Sequence, residues 1–531
     1  MALMASRRAV DLGLAALSAI LLVLSVPKFD LSHLAWVALA PLLVALDGKS
    51  VPRACGLAFV TGIAFFAGLF YWIWAVPAYN VFDELLLATY LSPYIGLWGL
   101  AVNWIRKRTG LGIALVAPPI WVTGEYVRSN LGFLSLPWML LGHSQYSHPL
   151  LLQMTSVTGV YGLSFLIVLV NAAIAETICR NRHELSIHRA IFRSRLVVPT
   201  SLCVSLILVI GTAAYGFFVV SHGFHGERVT VAVVQGNIPQ DRKWERSHVP
   251  TILERYASLT RQAVGDAPSL IVWPETAVPG DVQRHPQLRE YVSRLAIETN
   301  THLFVGSSEQ AKFEDRKLTG KLYNSMFLFS PDGNIGGQYR KIALIPFGEY
   351  EPLRGVVPWP KAIVGAVGHF LPGDRHTVFT VSRFSFGSVL CWEIIFPDLF
   401  RQFVKRGAGF MVNATNEAWF NETAVPYQLL AMSAFRAAEN RVSIVRAGNT
   451  GISAFIDPFG RITSRLRRPD HKELFVEGVL TGSVPVSPGG TLYTEHGDLF
   501  AWSQIALCAA MLLASVLRIF LGRGSLIPAS P

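Results

Sequence analysis

Phe386-Gly-Ser-Val-Leu390-Cys391-Trp392-Glu393-Ile394-Ile395-Phe396-Pro397 is the stretch on which the fold turns. Its first five residues form a short apolar run of the kind that makes a buried strand, and Pro397 is well suited to the first position of a helix. Cys391 therefore stands at a strand-to-helix turn. A nucleophile in that position is held rigidly with its side chain presented at the sheet end, the logic of the serine elbow in hydrolases. Working outward, Val229–Gln235, Ser269–Trp273, His302–Gly306, Ser325–Ser330, Gly409–Val412 and Val442–Arg446 also read as buried strands. Helical patterns lie between them at Pro250–Val264, Gln287–Glu298, Pro397–Arg406 and Pro426–Asn440. Such alternation predicts α/β architecture, sheets covered by helices, over residues 222–497. The chain has no repeat of solenoid period.

Outside that segment the composition is different. The 531 residues are 51% apolar and only 15% charged, too apolar for an ordinary soluble enzyme. Long apolar stretches occupy approximately Ala9–Val26, His33–Leu46, Ala54–Val76, Glu84–Ile105, Gly110–Val127, Leu150–Ile178 and Leu196–Val220, and one more follows at Leu499–Phe520. Each approaches the ~20 residues that a helix needs to cross a bilayer, although His33–Leu46 is short enough to be half-buried or re-entrant. The expectation is a membrane domain over residues 1–221 with seven transmembrane helices, and an eighth helix with a short tail over 498–531. The first stretch follows Arg7 and Arg8 but precedes no small-residue cleavage site, so it reads as an uncleaved helix.

The net charge of +11 falls mostly outside the α/β segment: residues 222–498 hold 30 Lys/Arg against 27 Asp/Glu. With the N-terminus inside, the cytoplasmic connections carry fourteen basic residues, among them Arg53, Arg106, Lys107, Arg108, Arg180 and Arg518. The short loops of the opposite side carry only Lys28 and Arg128. Basic residues are retained on the cytoplasmic side, so the α/β domain is expected on the outer face, with both termini cytoplasmic. The charge thus reads as topology rather than as a nucleic-acid footprint. Of the five cysteines, Cys55, Cys203 and Cys508 lie in apolar stretches and Cys179 at the end of one, where packing explains them. An odd number without metal spacing argues against both a disulfide scaffold and a zinc module, leaving Cys391 as the cysteine with a chemical role.

A thiol attacks only as thiolate, so it needs a base, and the tetrahedral intermediate needs a positive or hydrogen-bonding partner. Ser269-Leu-Ile-Val-Trp-Pro-Glu275 places a carboxylate at a strand end. Tyr339-Arg-Lys341-Ile-Ala-Leu-Ile-Pro-Phe-Gly-Glu349-Tyr350 places a lysine before an apolar run and then a second carboxylate. Singly, each is ordinarily a surface salt-bridge partner. Together, Trp273-Pro274-Glu275, Lys341 with Pro346-Phe347-Gly348-Glu349, and Cys391-Trp392-Glu393 resemble, in order and spacing, the Glu-Lys-Cys triad of the nitrilase (carbon–nitrogen hydrolase) superfamily. Set among apolar stretches, they resemble its apolipoprotein N-acyltransferase branch. Val234-Gln-Gly-Asn-Ile-Pro-Gln240 with Lys243-Trp244, Tyr323-Asn324-Ser325, Asn413-Ala-Thr-Asn416-Glu-Ala-Trp-Phe420, Phe435-Arg-Ala-Ala-Glu-Asn-Arg441 and Arg446-Ala-Gly-Asn-Thr-Gly-Ile-Ser453 agree with it. The chain departs from the family pattern at Asn421, where Gly is usual, at Glu417, where Asp is usual, and at Gln428-Leu429, where Gln-His is usual.

The resemblance implies a nitrilase-like α-β-β-α sandwich inserted between the seventh and eighth helices of a polytopic membrane domain in a bacterial inner membrane, with the catalytic domain periplasmic. It implies transfer of a fatty acyl chain from a phospholipid, through a thioester on Cys391, to the α-amine of a diacylglyceryl-cysteine at an apolipoprotein N-terminus. Glu275 would act as base, and Lys341 with the Trp392 backbone N–H would hold the oxyanion. Glu349, Glu393, Trp392, Trp244 and Asn324 are the supporting candidates, the two glutamates to orient Lys341 or tune Glu275. The partners are donor lipid, lipoprotein acceptor and bilayer; no metal, cofactor or nucleic acid is expected, and the chain is expected to act as a monomer. The apolar, Gly/Pro-punctuated segment 353–371, with Val357, Trp359 and Ile363, reads as a lid dipping into the membrane interface or as a buried loop. The triad by itself does not choose amine over water, so a membrane-tethered amidase or nitrilase is the alternative.

Overall fold

The computed structural model describes residues 2–77, 79–187, 199–224, 226–312, 318–359 and 368–524. The chain divides into two units, one of residues 1–74, 79–221 and 498–531, the other of residues 75–78 and 222–497.

Among the described residues, the second unit is built on two six-stranded sheets. In the first, β1 (Arg228–Gln235), β2 (Leu270–Val272) and β3 (His302–Lys312) run parallel, and β4 (Leu318–Phe329) and β5 (Ile335–Arg340) continue antiparallel at one edge. In the second, β7 (Phe384–Leu390), β8 (Phe410–Thr415) and β9 (Ser443–Gly448) are parallel. They are flanked by β6 (Val378–Val381) on one side and by β10 (Ala454–Ile456) and β11 (Ile462–Arg465) on the other. A last strand, β12 (Gly478–Pro485), returns to pair antiparallel with β1. Parallel strands need crossovers, and helices supply them: Val249–Ala263 between β1 and β2, Pro286–Thr299 between β2 and β3, Pro397–Lys405 between β7 and β8, and Val425–Asn440 between β8 and β9.

Strands β8 and β9 are buried at every residue, as expected for strands covered on both faces. Phe304 of β3 lies 4.9 Å from Phe379 of β6 and 5.1 Å from Phe386 of β7, ring centre to ring centre, so aromatic side chains join the two sheets. On the outer face of the first sheet, Ile252, Tyr256, Val292 and Leu295 of the two crossover helices pack with Val234, Ile271 and Val305. The layers are thus helix, sheet, sheet, helix. All seven expected strands and all four expected helices occur, with ends shifted by a few residues. Strands β5, β6, β10, β11 and β12 occur in addition. In Ile335-Gly-Gly-Gln-Tyr-Arg340, a half-exposed edge strand has no apolar run to reveal it.

In the first unit, five helices among the described residues are long and apolar enough to cross a membrane once the last of them, beyond the α/β segment, is included: Val51–Ala75, Val81–Thr109, Val160–Arg182, Thr200–Ser221 and Leu499–Phe520. Three further stretches expected as spans fall outside this set of long, low-charge helices. Residues 2–24 are one helix carrying Arg7, Arg8 and Asp11, and Asp11 pairs with Lys49 at 2.8 Å and Arg53 at 2.5 Å. The segment at 33–46 is broken into Ser32–Leu34, Ala35–Ala38 and Ala40–Leu46, the last with Pro41 at its start. The segment at 110–127 becomes the helix Ile113–Ser129, 17 residues long. Small residues allow close packing: a Cβ at Gly62 would stand 3.0 Å from Ser92 Cα, and one at Gly99 would stand 2.5 Å from Ala58 Cβ.

Candidate active site

The carboxyl ends of the parallel strands are where open α/β sheets place their chemistry, and three candidate side chains meet there. Glu275 follows β2 after Trp273-Pro274, Lys341 follows β5 directly, and Cys391 follows β7 directly. Cys391 has a φ of +51°, the conformation of an elbow, and begins a 3-10 turn, Cys391–Ile395. All three side chains are buried.

Lys341 Nζ donates to Glu349 Oε1 at 2.8 Å and stands 3.6 Å from Glu275 Oε1. Asn324 Nδ2 donates to Glu275 Oε1 at 2.7 Å and reaches Glu349 Oε1 at 3.5 Å. The second oxygen of Glu275 accepts the backbone N–H of Asn416 at 2.8 Å, and that of Glu349 accepts the N–H of Ile345 at 2.8 Å. Both carboxylates are therefore fixed at both oxygens. Burial disfavours the Lys341 charge, but Glu349, Glu275 and Cys391 outweigh it and hold the ammonium above its ordinary range. The Cys391 thiol is pushed up to about 12 by burial and by the Glu275 charge, against the opposing pull of Lys341 and of the Thr415 hydroxyl. At neutral pH this thiol keeps its proton until a base takes it.

Glu393 does not touch Lys341. Its carboxylate accepts from Tyr339 Oη at 2.9 Å and from the backbone N–H groups of Ile342, Ala343 and Leu390 at 2.7, 2.8 and 2.7 Å. It thereby ties the residues after Lys341 to the strand that ends at Cys391. Burial raises this carboxyl to about 7, with the Leu390 and Ala343 N–H groups, Lys341 and Tyr339 acting the other way. Trp392 is buried, its indole N–H donating to Ala343 O at 2.6 Å and its ring edge-on to Phe396. Trp244 is half exposed. Trp359 is anchored within its own loop, donating to Pro352 O at 2.7 Å with its ring 4.9 Å from Phe347. Val357 is partly buried, and Ile363 lies outside the described residues.

Several participants had no role assigned from the sequence. Asn413 donates to the Cys391 and Val389 carbonyls, both at 3.2 Å, and its own oxygen accepts from Arg446 at 2.6 Å. Arg446, wholly buried, also pairs with Glu417. Asn449 bonds both the N–H and the carbonyl of Ile238 and donates to Asn416 Oδ1 at 2.9 Å, so it links the β1 loop to the β8 loop. The motif strings marked these residues without saying what each holds. Lys243, in a polar string, gave no sign that it would be buried. Glu417 in place of Asp keeps a carboxylate on Arg446, and Asn421 takes a φ of +49° with ψ of −150°, the glycine-like conformation that the usual Gly would adopt freely. Among the described residues no cluster of His, Cys, Asp or Glu is arranged to hold a metal.

The sequence profile of the apolipoprotein N-acyltransferase N-terminal domain matches residues 18–173, and that of carbon-nitrogen hydrolase matches residues 230–485. An apolipoprotein N-acyltransferase of Geobacter metallireducens is 38% identical over 514 residues, 94% of each chain. That of Chlorobaculum tepidum is 29% identical over 94% of this chain and 96% of its own, and that of Haemophilus influenzae 29% over 95% of each. Among solved structures, an amidase of Nesterenkonia AN1 from the nitrilase superfamily is similar over 53% of this chain and 95% of its own, at 17% identity and a TM-score of 0.38. The likeness to the acyltransferases runs through the apolar helices and the α/β unit alike, which a membrane-tethered amidase would not require, and the chain accordingly belongs to the apolipoprotein N-acyltransferase family, as a multi-pass membrane acyltransferase with a carbon-nitrogen hydrolase domain.

Proposed function

We propose that Glu275, Lys341 and Cys391 carry out the acyl transfer in two displacements, with a membrane phospholipid as donor. In the first, Glu275 takes the proton from Cys391 Sγ as the sulfur attacks the ester carbonyl. Lys341 and the backbone N–H of Trp392, at the open start of the 3-10 turn, hold the oxyanion. The ester C–O bond breaks, the lysophospholipid oxygen takes the proton from Glu275, and the acyl group stays on sulfur. In the second, the α-amine of the diacylglyceryl-cysteine attacks the thioester, Glu275 receives the amine proton, the C–S bond breaks, and the thiolate regains a proton.

The observation that supports this reading is the placement of one ammonium between two fixed carboxylates, 3.6 Å from Glu275 and 2.8 Å from Glu349, with the charges of Glu275 and Lys341 both acting on the Cys391 thiol. A thiol held protonated by burial needs a base at hand, and the Lys341 ammonium is available as a permanent charge for the oxyanion. Mass spectrometry of the protein given phospholipid but no acceptor should find one acyl group on Cys391, and none on the Cys391→Ala variant. Absence of the adduct on the native protein, or undiminished N-acylation of a diacylated lipopeptide by Cys391→Ala, would overturn the mechanism.

The same reading takes residues 1–221 as a seven-helix membrane domain, residues 222–497 as the periplasmic catalytic domain inserted before the eighth helix at 498–531, and both termini as cytoplasmic, in the inner membrane. Confinement of both lipid substrates to one bilayer replaces a three-dimensional search by a surface encounter, which favours aminolysis over hydrolysis. Val357 and Trp359 belong to a lid that dips into the membrane interface, whose described part includes the exposed Leu353 and Val356. One chain contains every part, so the acting form is a monomer.

A further inference from the structure

Lys243 ends the short helix Gln240–Lys243 and is one of the largest fully buried side chains of the protein. Its Nζ donates to the main-chain carbonyl oxygen of Glu275 at 3.0 Å. A buried ammonium is costly unless something requires it. The titratable groups facing it are Glu275, at the end of β2, and Cys391, at the end of β7. The mechanism above uses neither its charge nor its bond.

The turn that it holds is strained. Thr276, β-branched, has a φ of +49°, a conformation that such residues rarely adopt. Strand β3 presses on the same turn from the other side: a Cβ at Gly306 would lie 2.3 Å from Pro274 O and 2.5 Å from Thr276 N. The Glu275 peptide is thus clamped between a glycine that leaves it room and a lysine that fastens its carbonyl. That carbonyl belongs to the residue bearing the base, so fastening it steadies the backbone from which the carboxylate side chain extends, while Asn324 and the Asn416 N–H hold the carboxylate itself.

We propose, on the acyl-transfer reading given above, that Lys243 is a positioning residue for the base: its ammonium fastens the Glu275 peptide and supplies a second positive charge that offsets the negative charge passing between Cys391 and Glu275. During acylation the negative charge leaves the carboxylate as Cys391 Sγ loses its proton, passes to the substrate oxygen, and returns to the carboxylate when the leaving group is protonated; Glu275 and Cys391, where it starts, both face Lys243. Burial draws this lysine down to about 7, while Glu275 and Cys391 pull it the other way, so its charge is sensitive to pH near neutrality.

The test is single-turnover formation of the acyl-enzyme from phospholipid in detergent micelles, measured from pH 6 to pH 9 on the full chain with Lys243→Met and Lys243→Arg, melting temperatures recorded alongside. The wild-type rate should fall as pH rises through the titration of Lys243. Lys243→Met should be slower by about 10²-fold at pH 6.5, the scale of a misplaced catalytic group, with the half-saturating lipid concentration unchanged and the alkaline fall gone. Lys243→Arg, whose guanidinium stays charged, should recover most of the rate and also lose the fall. A Met variant within threefold of wild type, or Met and Arg variants equally slow with profiles parallel to wild type, would overturn the inference, since the second result is what lost packing alone produces. No acyl-enzyme on the wild-type protein would instead sink the acyl-transfer reading.

Discussion

Glu393 shows how much a single residue's position depends on charge. Four donors converge on its carboxylate, yet burial still raises it to about 7, above the 4.5 of a free glutamate. A carboxyl raised in the folded state binds protons that the unfolded chain has released, so its contribution to stability is present below pH 4.5 and is lost as pH rises toward 7. Removing one donor extends that loss to higher pH. Tyr339→Phe should therefore destabilise the catalytic unit by about 1–3 kcal/mol at pH 8 and by less at pH 6, because the bond lost is to the ionised form. Melting temperatures at the two values check it; equal losses would mean that Glu393 does not change charge between them.

At the scale of elements, the site is an arrangement of strand ends, and its precision comes from how closely neighbouring backbones approach. The turn carrying Glu275 lies against β3 at Gly306, where the atoms in the way of a side chain are backbone atoms that cannot swing aside. Gly306→Ala should cost about 1–3 kcal/mol from overpacking, and acyl-enzyme formation should fall by about 10²-fold through displacement of the base. Chemical denaturation and single-turnover rates on the same preparation separate the two effects. A variant that loses stability but keeps its rate would show that the turn yields without moving the carboxylate. The elbow at Cys391 obeys the same logic from the opposite side, its carbonyl held by Asn413 and Asn413 in turn held by Arg446.

For the whole molecule, the unequal distribution of basic residues is the feature with the longest reach. Arg106, Lys107 and Arg108 in one connection and Arg180 and Arg182 in another predict a cytoplasmic side, and the α/β unit after Ser221 then lies outside. A phosphatase reporter active only outside the cytoplasm should be silent when fused after Lys107 and active when fused after Phe224; the reverse pattern would invert the topology. Much of this protein was legible in its sequence because the signals are local. Apolar runs reveal the long helices and the doubly covered strands β1, β7, β8 and β9, and the strings around Glu275, Lys341 and Cys391 carry their own order and spacing. The broken helix at 32–46, the edge strands β5, β6, β11 and β12 and the three-residue strand β10 are not legible, because only packing against a neighbour decides them. The same holds for Lys243. In the sequence it stands among Asp241, Arg242 and Glu245; only the tertiary structure buries it, because the loop after β1 folds over the end of β2, and it is there that its ammonium meets the carbonyl of the residue that bears the base.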